Sequence, residues 1–378
     1  MNIGVDIRAL SSAKLSGVGN YIWGALQNIL ALDHKNQYYL FSSGWKSEKF
    51  DWLSFSQANV HHIHLQLWNK LINLSMLSPW PVDIIDKIPA KLDLFWLPNI
   101  DFFQTKSDIP LLLTFHDLSF ISAPHFFNLQ MKFWHLAVRP RKLVTRATEI
   151  LAVSENTKRD LVKFFSTEGD KVKVLKPGLS VVPLTAEQAE VIARQRNWPQ
   201  KFFLFIGTLE PRKNLSAVIQ AFEIFSSKFP DYHLLIAGQP GWLYGPLLRQ
   251  IKKRSQIHYL RHVSEPEKSA LYRHCRALVW PSFYEGYGFP PLEALYFHKP
   301  VITSYKTAMP ENLKNMVIYI DPYNINDIYQ AMMMLADDRR LSVELEKGSG
   351  AASISSWDGF TRQILEVFKE MDLHENSH

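Results

Sequence analysis

Residues 280–303 read WPSFYEGYGFPPLEALYFHKPVIT. The apolar run Ala277-Leu278-Val279-Trp280 leads into this stretch and predicts a buried strand. Gly286 and Gly288 open the backbone into a loop. Pro290 and Pro291 suit the first turn of a helix, where a missing N–H costs no hydrogen bond. Leu292, Leu295 and Tyr296 recur at helical spacing, and Pro300-Val301-Ile302-Thr303 starts the next strand. The unit is strand, glycine loop, helix, strand, with Glu285 in the loop and Glu293 expected in the helix's first turn.

That unit suits a polyhydroxylated, anionic ligand. Glycines let a ligand approach main-chain N–H groups closely. A helix N-terminus favours a negative group such as phosphate, and carboxylates accept hydrogen bonds from sugar hydroxyls. A plainer reading stands beside it, with Glu293 complementing the helix dipole and Glu285 a solvated loop charge.

A family resemblance bears on these two readings. Two glutamates separated by seven residues, in the form EGYGFPPLE, closely resemble the signature of retaining nucleotide-sugar glycosyltransferases, and family 4 among them. Phe203-Leu204-Phe205-Ile206-Gly207-Thr208-Leu209-Glu210-Pro211-Arg212-Lys213-Asn214 resembles the family's second hallmark. The glycine loop Ser16-Gly17-Val18-Gly19-Asn20 and the pair His116-Asp117 are weaker ones, and all four fall in order along the chain.

The resemblance implies an α/β protein of GT-B type, two Rossmann-like domains facing a cleft. The expected first domain is residues 1–178, the acceptor side. The expected donor-binding domain is 179–356, and a final helix at 357–371 crosses back onto the first domain. By the same resemblance, Arg212 and Lys213 neutralise the leaving nucleoside diphosphate, Glu293 holds the ribose and Glu285 holds the sugar. Gly286, Tyr287, Gly288 and Phe289 orient the sugar through backbone N–H groups, and His116 acts on it from the first domain. Gly17 and Gly19 lie near the diphosphate and acceptor, and Ser264 near the nucleobase. The family needs no metal and no cofactor. The donor is a nucleotide sugar, with GDP-mannose suggested by the EPRKN form of the cation loop. The acceptor is a saccharide or lipid-linked sugar of bacterial surface polysaccharide or glycolipid assembly. Two features depart from the family's pattern: Thr208 stands where many members carry arginine, and His298 where many carry glycine. A sugar-nucleotide epimerase of the same architecture, or a binding protein that has lost catalysis, are the alternatives.

The cation loop is suggestive without any analogy. Arg212 and Lys213 follow the apolar strand 202–206 and precede a helix capped by Asn214, a place where cations and helix N–H groups bind a diphosphate. The first half begins similarly, with strand 2–7, a polar glycine-bearing loop 11–20 and an amphipathic helix from Tyr21, but without GxGxxG. His116 follows the strand Leu111–Phe115 and is expected to donate a hydrogen bond, unless Asp117 holds it as a structural residue.

Composition bounds the rest. At 378 residues the chain is long enough for two domains, and 47% of it is apolar. A formal charge of +6, spread without basic runs, suits an anionic partner and argues against a nucleic-acid tail. The single cysteine, Cys275, falls in a predicted helix and excludes a disulfide framework, which fits a reducing, cytoplasmic compartment. No apolar run is long enough to span a membrane, and the opening residues predict a strand rather than a signal peptide. Contact with the inner face of a membrane could therefore come only from the surface. Leu67, Trp68, Leu71, Ile72, Leu74 and Trp80 could lie at a lipid interface or, as expected here, pack on the core. One long helix is predicted over 126–144, ending in the cations Arg139, Arg141, Lys142 and Arg146. His61, His62 and His64 alternate on a predicted strand without the further ligands that a metal site needs.

Overall fold

The structure, a computed structural model, describes residues 1–11, 15–45, 50, 53, 55, 57–75, 78, 82–337, 345 and 355–375. The segment around Trp80 lies outside them. The apolar runs form two sheets. The first contains β1 (Asn2–Asp6), β2 (Gln37–Ser43), β3 (Val60–Leu65), β4 (Leu94–Leu97), β5 (Leu111–Phe115), β6 (Glu149–Ala152) and β7 (Val172–Val174), in the order β3-β2-β1-β4-β5-β6-β7. The second contains β8 (Phe202–Ile206), β9 (His233–Ala237), β10 (Ile257–Arg261), β11 (Ala277–Trp280), β12 (Val301–Ser304) and β13 (Ile318–Ile320), in the order β10-β9-β8-β11-β12-β13. Every pairing is parallel.

Parallel sheets need both faces covered, so their inner strands read as unbroken apolar runs. All five residues of β5 and of β8 are buried. In each sheet the order reverses beside the first strand, between β1 and β4 and between β8 and β11. Loops at the carboxyl ends of such a strand pair diverge and leave a crevice, the usual ligand site of this topology.

The chain divides into two compact units. One comprises residues 1–121, 129–178 and 355–378; the other comprises 122–128 and 179–354. In the first unit, helix Trp357–Glu375 buries Trp357, Phe360, Ile364 and Phe368. Trp357 packs on helix Gly17–Leu32, where a side chain at Gly24 would meet its ring at 2.3 Å. Each such large side chain, fully buried, contributes roughly 1.5–3 kcal/mol. In the second unit, segment 122–128 is secured by Phe126 stacking on Phe283 at 5.1 Å and by the Trp242 indole donating to the Phe126 carbonyl at 2.6 Å.

Several local expectations are corrected. The first helix begins at Gly17 rather than Tyr21, because the Ser16 hydroxyl accepts from the Gly19 N–H and caps it. The long helix over 126–144 is two helices, Leu129–Val138 and Pro140–Arg146. Proline bars the residue before it from the right-handed helical region, and Arg139 adopts φ 55°. Cys275 lies one residue past helix Glu265–His274, where burial raises its thiol pKa to about 12. Of the apolar residues expected to pack on the core after β3, Ile72 does so, whereas Leu67, Trp68, Leu71 and Leu74 are exposed. The Ser42 hydroxyl lies between His62 and His64, at 3.0 and 2.9 Å, and His61 bonds Gln37.

The glycine-like position His298 has a backbone explanation. It follows helix Phe289–Tyr296 with φ 56°, its N–H bonding Leu295 and the Lys299 N–H bonding Ala294, both at 2.9 Å. A left-handed residue with a Cβ costs roughly 1–2 kcal/mol, and the His298 side chain is exposed. His298→Gly is therefore expected to stabilise the protein by about 1 kcal/mol. A urea midpoint that falls instead of rising would show that no strain is relieved.

Candidate functional site

β8 and β11 are neighbours, pairing Phe203 with Ala277 and Leu204 with Leu278. The loops leaving their carboxyl ends therefore start side by side, and they carry Glu210–Asn214 and Pro281–Gly288. Lys213 Nζ donates to Glu285 Oε1 at 2.5 Å, and the Trp280 indole N–H donates to the same oxygen at 3.1 Å. The ammonium also lies 4.7 Å from the centre of the Trp280 ring. Arg212 reaches Glu285 Oε2 at 3.6 Å, Glu210 at 2.8 Å and the Tyr284 carbonyl at 2.9 Å. Lys213 and Glu285 are 9% and 6% exposed, so Glu285 is not a solvated loop charge.

Burial alone would raise the pKa of Glu285; Lys213, and then Arg212, more than offset it and hold the carboxyl below its ordinary value. Burial and the adjacent Arg212 lower Lys213, against the pull of Glu285 and Glu210. Asn214 precedes helix Leu215–Ser226, as expected, but does not cap it. In a left-handed conformation, it donates instead to the carbonyls of Pro281 and Pro322, at 3.3 and 2.6 Å. It thereby ties the cation loop to the segments after β11 and β13.

Gly288 turns the chain into helix Phe289–Tyr296 with φ 89°, a conformation suited to glycine. Both prolines fall in the first turn, whereas Glu293 lies beyond it, where the helix dipole has little effect. Its Oε1 accepts from Lys268 at 3.0 Å and its Oε2 from the Tyr272 hydroxyl at 2.8 Å. Tyr287 is buried, its carbonyl accepting from Asn312 at 2.8 Å and its ring meeting Phe289 edge-on. The Glu285 N–H donates to Thr307 at 2.9 Å, which secures the start of the Gly286–Phe289 turn. Ser264 caps helix Glu265–His274, exchanging bonds with Glu267, so its N–H and hydroxyl are both committed to the cap.

The first unit holds Gly17, Gly19 and His116. The two glycines sit in the first turn of helix Gly17–Leu32, and a side chain at Gly17 would meet nothing within 4 Å. His116 Nε2 lies 2.9 Å from the Pro98 carbonyl, and burial lowers its pKa. A neutral ring bonded in this way carries its proton on Nε2 and leaves Nδ1 as an acceptor, the reverse of the donor expected from sequence. Asp117 bonds Ser119. At the end of β1, the buried Arg8 pairs with Asp6 at 2.5 Å and donates to the Phe102 carbonyl at 2.8 Å.

The profile described as Glycosyltransferase Family 4 matches residues 15–181, and that described as Glycosyl transferases group 1 matches residues 188–349. The chain belongs to these glycosyltransferases. It is 28% identical over 264 residues to O-antigen chain mannosyltransferase B of Escherichia coli, across 68% of this chain and 69% of that one. It is 27% identical over 247 residues to the serotype-specific mannosyltransferase WbdA of Escherichia coli, across 60% of this chain but 30% of that much longer one. The crystal structure of Anabaena HepE in complex with UDP-glucose matches with a TM-score of 0.74 at 15% identity, over 98% of this chain and 100% of that one. WaaG, a glycosyltransferase involved in lipopolysaccharide biosynthesis, matches with a TM-score of 0.71 at 13% identity, over 97% and 99%. These two structures share the GT-B fold.

Within this glycosyltransferase the structure adds residues that sequence reading passed over. Trp280 ends a predicted strand, and Lys268 and Tyr272 belong to no motif singled out in the sequence. Their signals were slight: an indole at a strand's carboxyl end, and a lysine and tyrosine four apart on one helical face.

The Lys213–Glu285 pair gives the site a pH signature. A carboxyl whose folded pKa lies below its unfolded one adds stability above the unfolded value, and that stability is lost as pH falls through the folded value. Lys213→Met removes one partner of a buried pair and is expected to cost about 3 kcal/mol at neutral pH. The deficit should shrink at a pH below the ordinary carboxyl value of about 4, as Glu285 of the original chain takes up the proton that its partners hold off. Urea melts of both proteins at the two pH values check this, and a deficit unchanged by acid would contradict it.

Proposed function

We propose that this glycosyltransferase moves a sugar, mannose first among candidates, from a nucleoside diphosphate to an acceptor hydroxyl with retention of anomeric configuration. The observation that carries the reading is the Lys213–Glu285 pair with Arg212 beside it, at the carboxyl ends of the two strands where the sheet order reverses. In this reading Lys213 meets the charge that develops on the leaving diphosphate, the largest electrostatic demand of the reaction. Arg212 supports it while bracing the loop through Glu210 and the Tyr284 carbonyl. Glu285 accepts from the sugar's hydroxyls, Glu293 from the ribose, and the turn Gly286–Phe289 offers N–H groups to the sugar. The acceptor oxygen bonds to the anomeric carbon on the face from which the diphosphate leaves. The bond from that carbon to the phosphate oxygen breaks, and the acceptor's proton passes to the leaving phosphate. The roles of His116, Gly17 and Gly19 rest on the family resemblance alone. No metal ion or other cofactor is invoked.

GDP-mannose is supported by the names of the relatives, an O-antigen chain mannosyltransferase and a serotype-specific mannosyltransferase, and by the EPRKN loop. HepE, by contrast, was crystallised with a UDP sugar. A thermal-shift series over nucleoside diphosphates separates the two. The cognate diphosphate at 100 times its dissociation constant is expected to add about 2.7 kcal/mol, with GDP ahead of UDP. Lys213→Ala and Glu293→Ala are each expected to lower transfer by at least about 100-fold; full turnover in either variant would sink the site assignment.

The acceptor in this reading is a lipid-linked saccharide, reached at the inner face of the plasma membrane. Among the described residues no helix is long and apolar enough to cross a membrane. The first unit nevertheless exposes Leu129 (84%), Phe133 (67%) and Leu136 (74%) on one helix. Phe133 also lines a cavity of about 550 Å³ together with Leu74, Met131 and Trp134. A smaller cavity lined by Arg139, Lys142 and Arg146 shares Phe102 and Ala137 with it. Apolar side chains beside cations suit an anionic lipid surface. Phe133→Glu with Leu136→Glu is expected to abolish sedimentation with phosphatidylglycerol vesicles. Equal sedimentation of the variant and the original chain would remove this surface from the proposal.

A further inference from the structure

Glu293 is 7% exposed, and each of its carboxylate oxygens already has a donor from one helix of the same unit. Lys268 and Tyr272 are four residues apart on helix Glu265–His274, so both project from one face. Each is itself restrained. Tyr272 is fully buried, its ring stacked 5.8 Å from that of Phe297. Lys268 lies between Glu293 at 3.0 Å and Glu265 at 2.7 Å. The helix carrying them starts with the Ser264–Glu267 capping box, and Glu267 in turn pairs with Arg196. Burial would lower the pKa of Lys268, but Glu293 and Glu265 overcome it, so the lysine stays charged.

A carboxylate has about four lone-pair sites, two on each oxygen. Lys268 and Tyr272 occupy one on each side, which fixes the carboxylate plane and, among the described residues, leaves one site free on each oxygen. Two free sites on one rigid carboxylate match a vicinal diol. We propose that Lys268 and Tyr272 are positioning residues that set Glu293 to grip both hydroxyls of a ribose, giving the second unit its selectivity for ribonucleoside diphosphates. The inference rests on the reading that Glu293 receives the ribose, and it assigns the geometry of that contact to two residues that need not touch the ligand.

The test is calorimetric binding of GDP and 2′,3′-dideoxy-GDP, with UDP and its dideoxy form in parallel, to the full chain and to Tyr272→Phe, Lys268→Met and Lys268→Arg. The original chain is expected to favour the ribo form of its better nucleotide by about tenfold or more, the value of one or two charge-assisted hydrogen bonds. Tyr272→Phe and Lys268→Met should cut that ratio several-fold by weakening the ribo form alone, and Lys268→Arg should restore most of it. Variants that lose affinity for both forms equally would show general damage and overturn the inference, as would an unchanged ratio. A chain that never distinguishes the two forms would remove the ribose reading of Glu293, and the inference with it. Discrimination that survives in both variants removes the inference alone.

Discussion

An ion pair buried at the ends of two adjacent strands sets the terms for the second unit. Lys213 and Glu285 come from loops far apart in sequence, and each is more than nine-tenths shielded from water. Neither charge could be buried there alone, since an unpaired buried ion costs several kcal/mol. The loops must therefore close on one another with little slack. Asn214 anchors one loop to the carbonyls before and beyond the other, Arg212 bonds the Tyr284 carbonyl, and Thr307 receives the Glu285 N–H. The backbone also joins in, with the Phe283 N–H donating to the Arg212 carbonyl at 3.0 Å. A pair of this kind is weak evidence for stability, because desolvation consumes most of the attraction. In the function proposed above, its supporting bonds hold charge in place for a ligand.

Much of this was legible beforehand, for a physical reason. A parallel strand covered on both faces must be apolar throughout, so β5, β8 and β11 stand out as runs, and charged or glycine-bearing loops after them mark the carboxyl edge. Lys213, Glu285 and Gly288 could be singled out on those grounds. Bonding partners could not, because periodicity reports what is buried and not which side chain in a distant loop meets it. Trp280 looks like any buried aromatic until its indole N–H is seen on Glu285. Asn214 looks like a helix cap until its amide is seen reaching two carbonyls. The break at Arg139–Pro140 was written in the proline, and the helical spacing on both sides of it masked that signal.

The histidine follows the strand that the sequence predicts before it, yet its hydrogen bonding differs from the expected one. His116 follows β5 at a strand's carboxyl end, where a functional histidine is expected. Yet the Pro98 carbonyl is an acceptor only and claims the Nε2 proton, and burial keeps the ring neutral. What remains is a lone pair on Nδ1, suited to accept from a hydroxyl rather than to donate to one. Only the loop after β4, which brings Pro98 to the ring, decides between the two.

Charge arithmetic in the second unit bears on how an anion could be held. Arg212 and Lys213 are balanced by Glu210 and Glu285, so the cluster is formally neutral although the chain carries +6. A diphosphate reaching Lys213 would not meet an unopposed cation; it must compete with the Glu285 carboxylate already bonded to it. That competition is eased if something else satisfies Glu285 at the same moment, and a sugar hydroxyl can do so by donating to it. A bare diphosphate and a nucleotide sugar would then differ in kind, the first straining the pair and the second exchanging its bonds. The neutral cluster therefore favours a ligand with an anion and a hydroxyl donor a few ångströms apart, which is the chemistry of a sugar joined to a diphosphate.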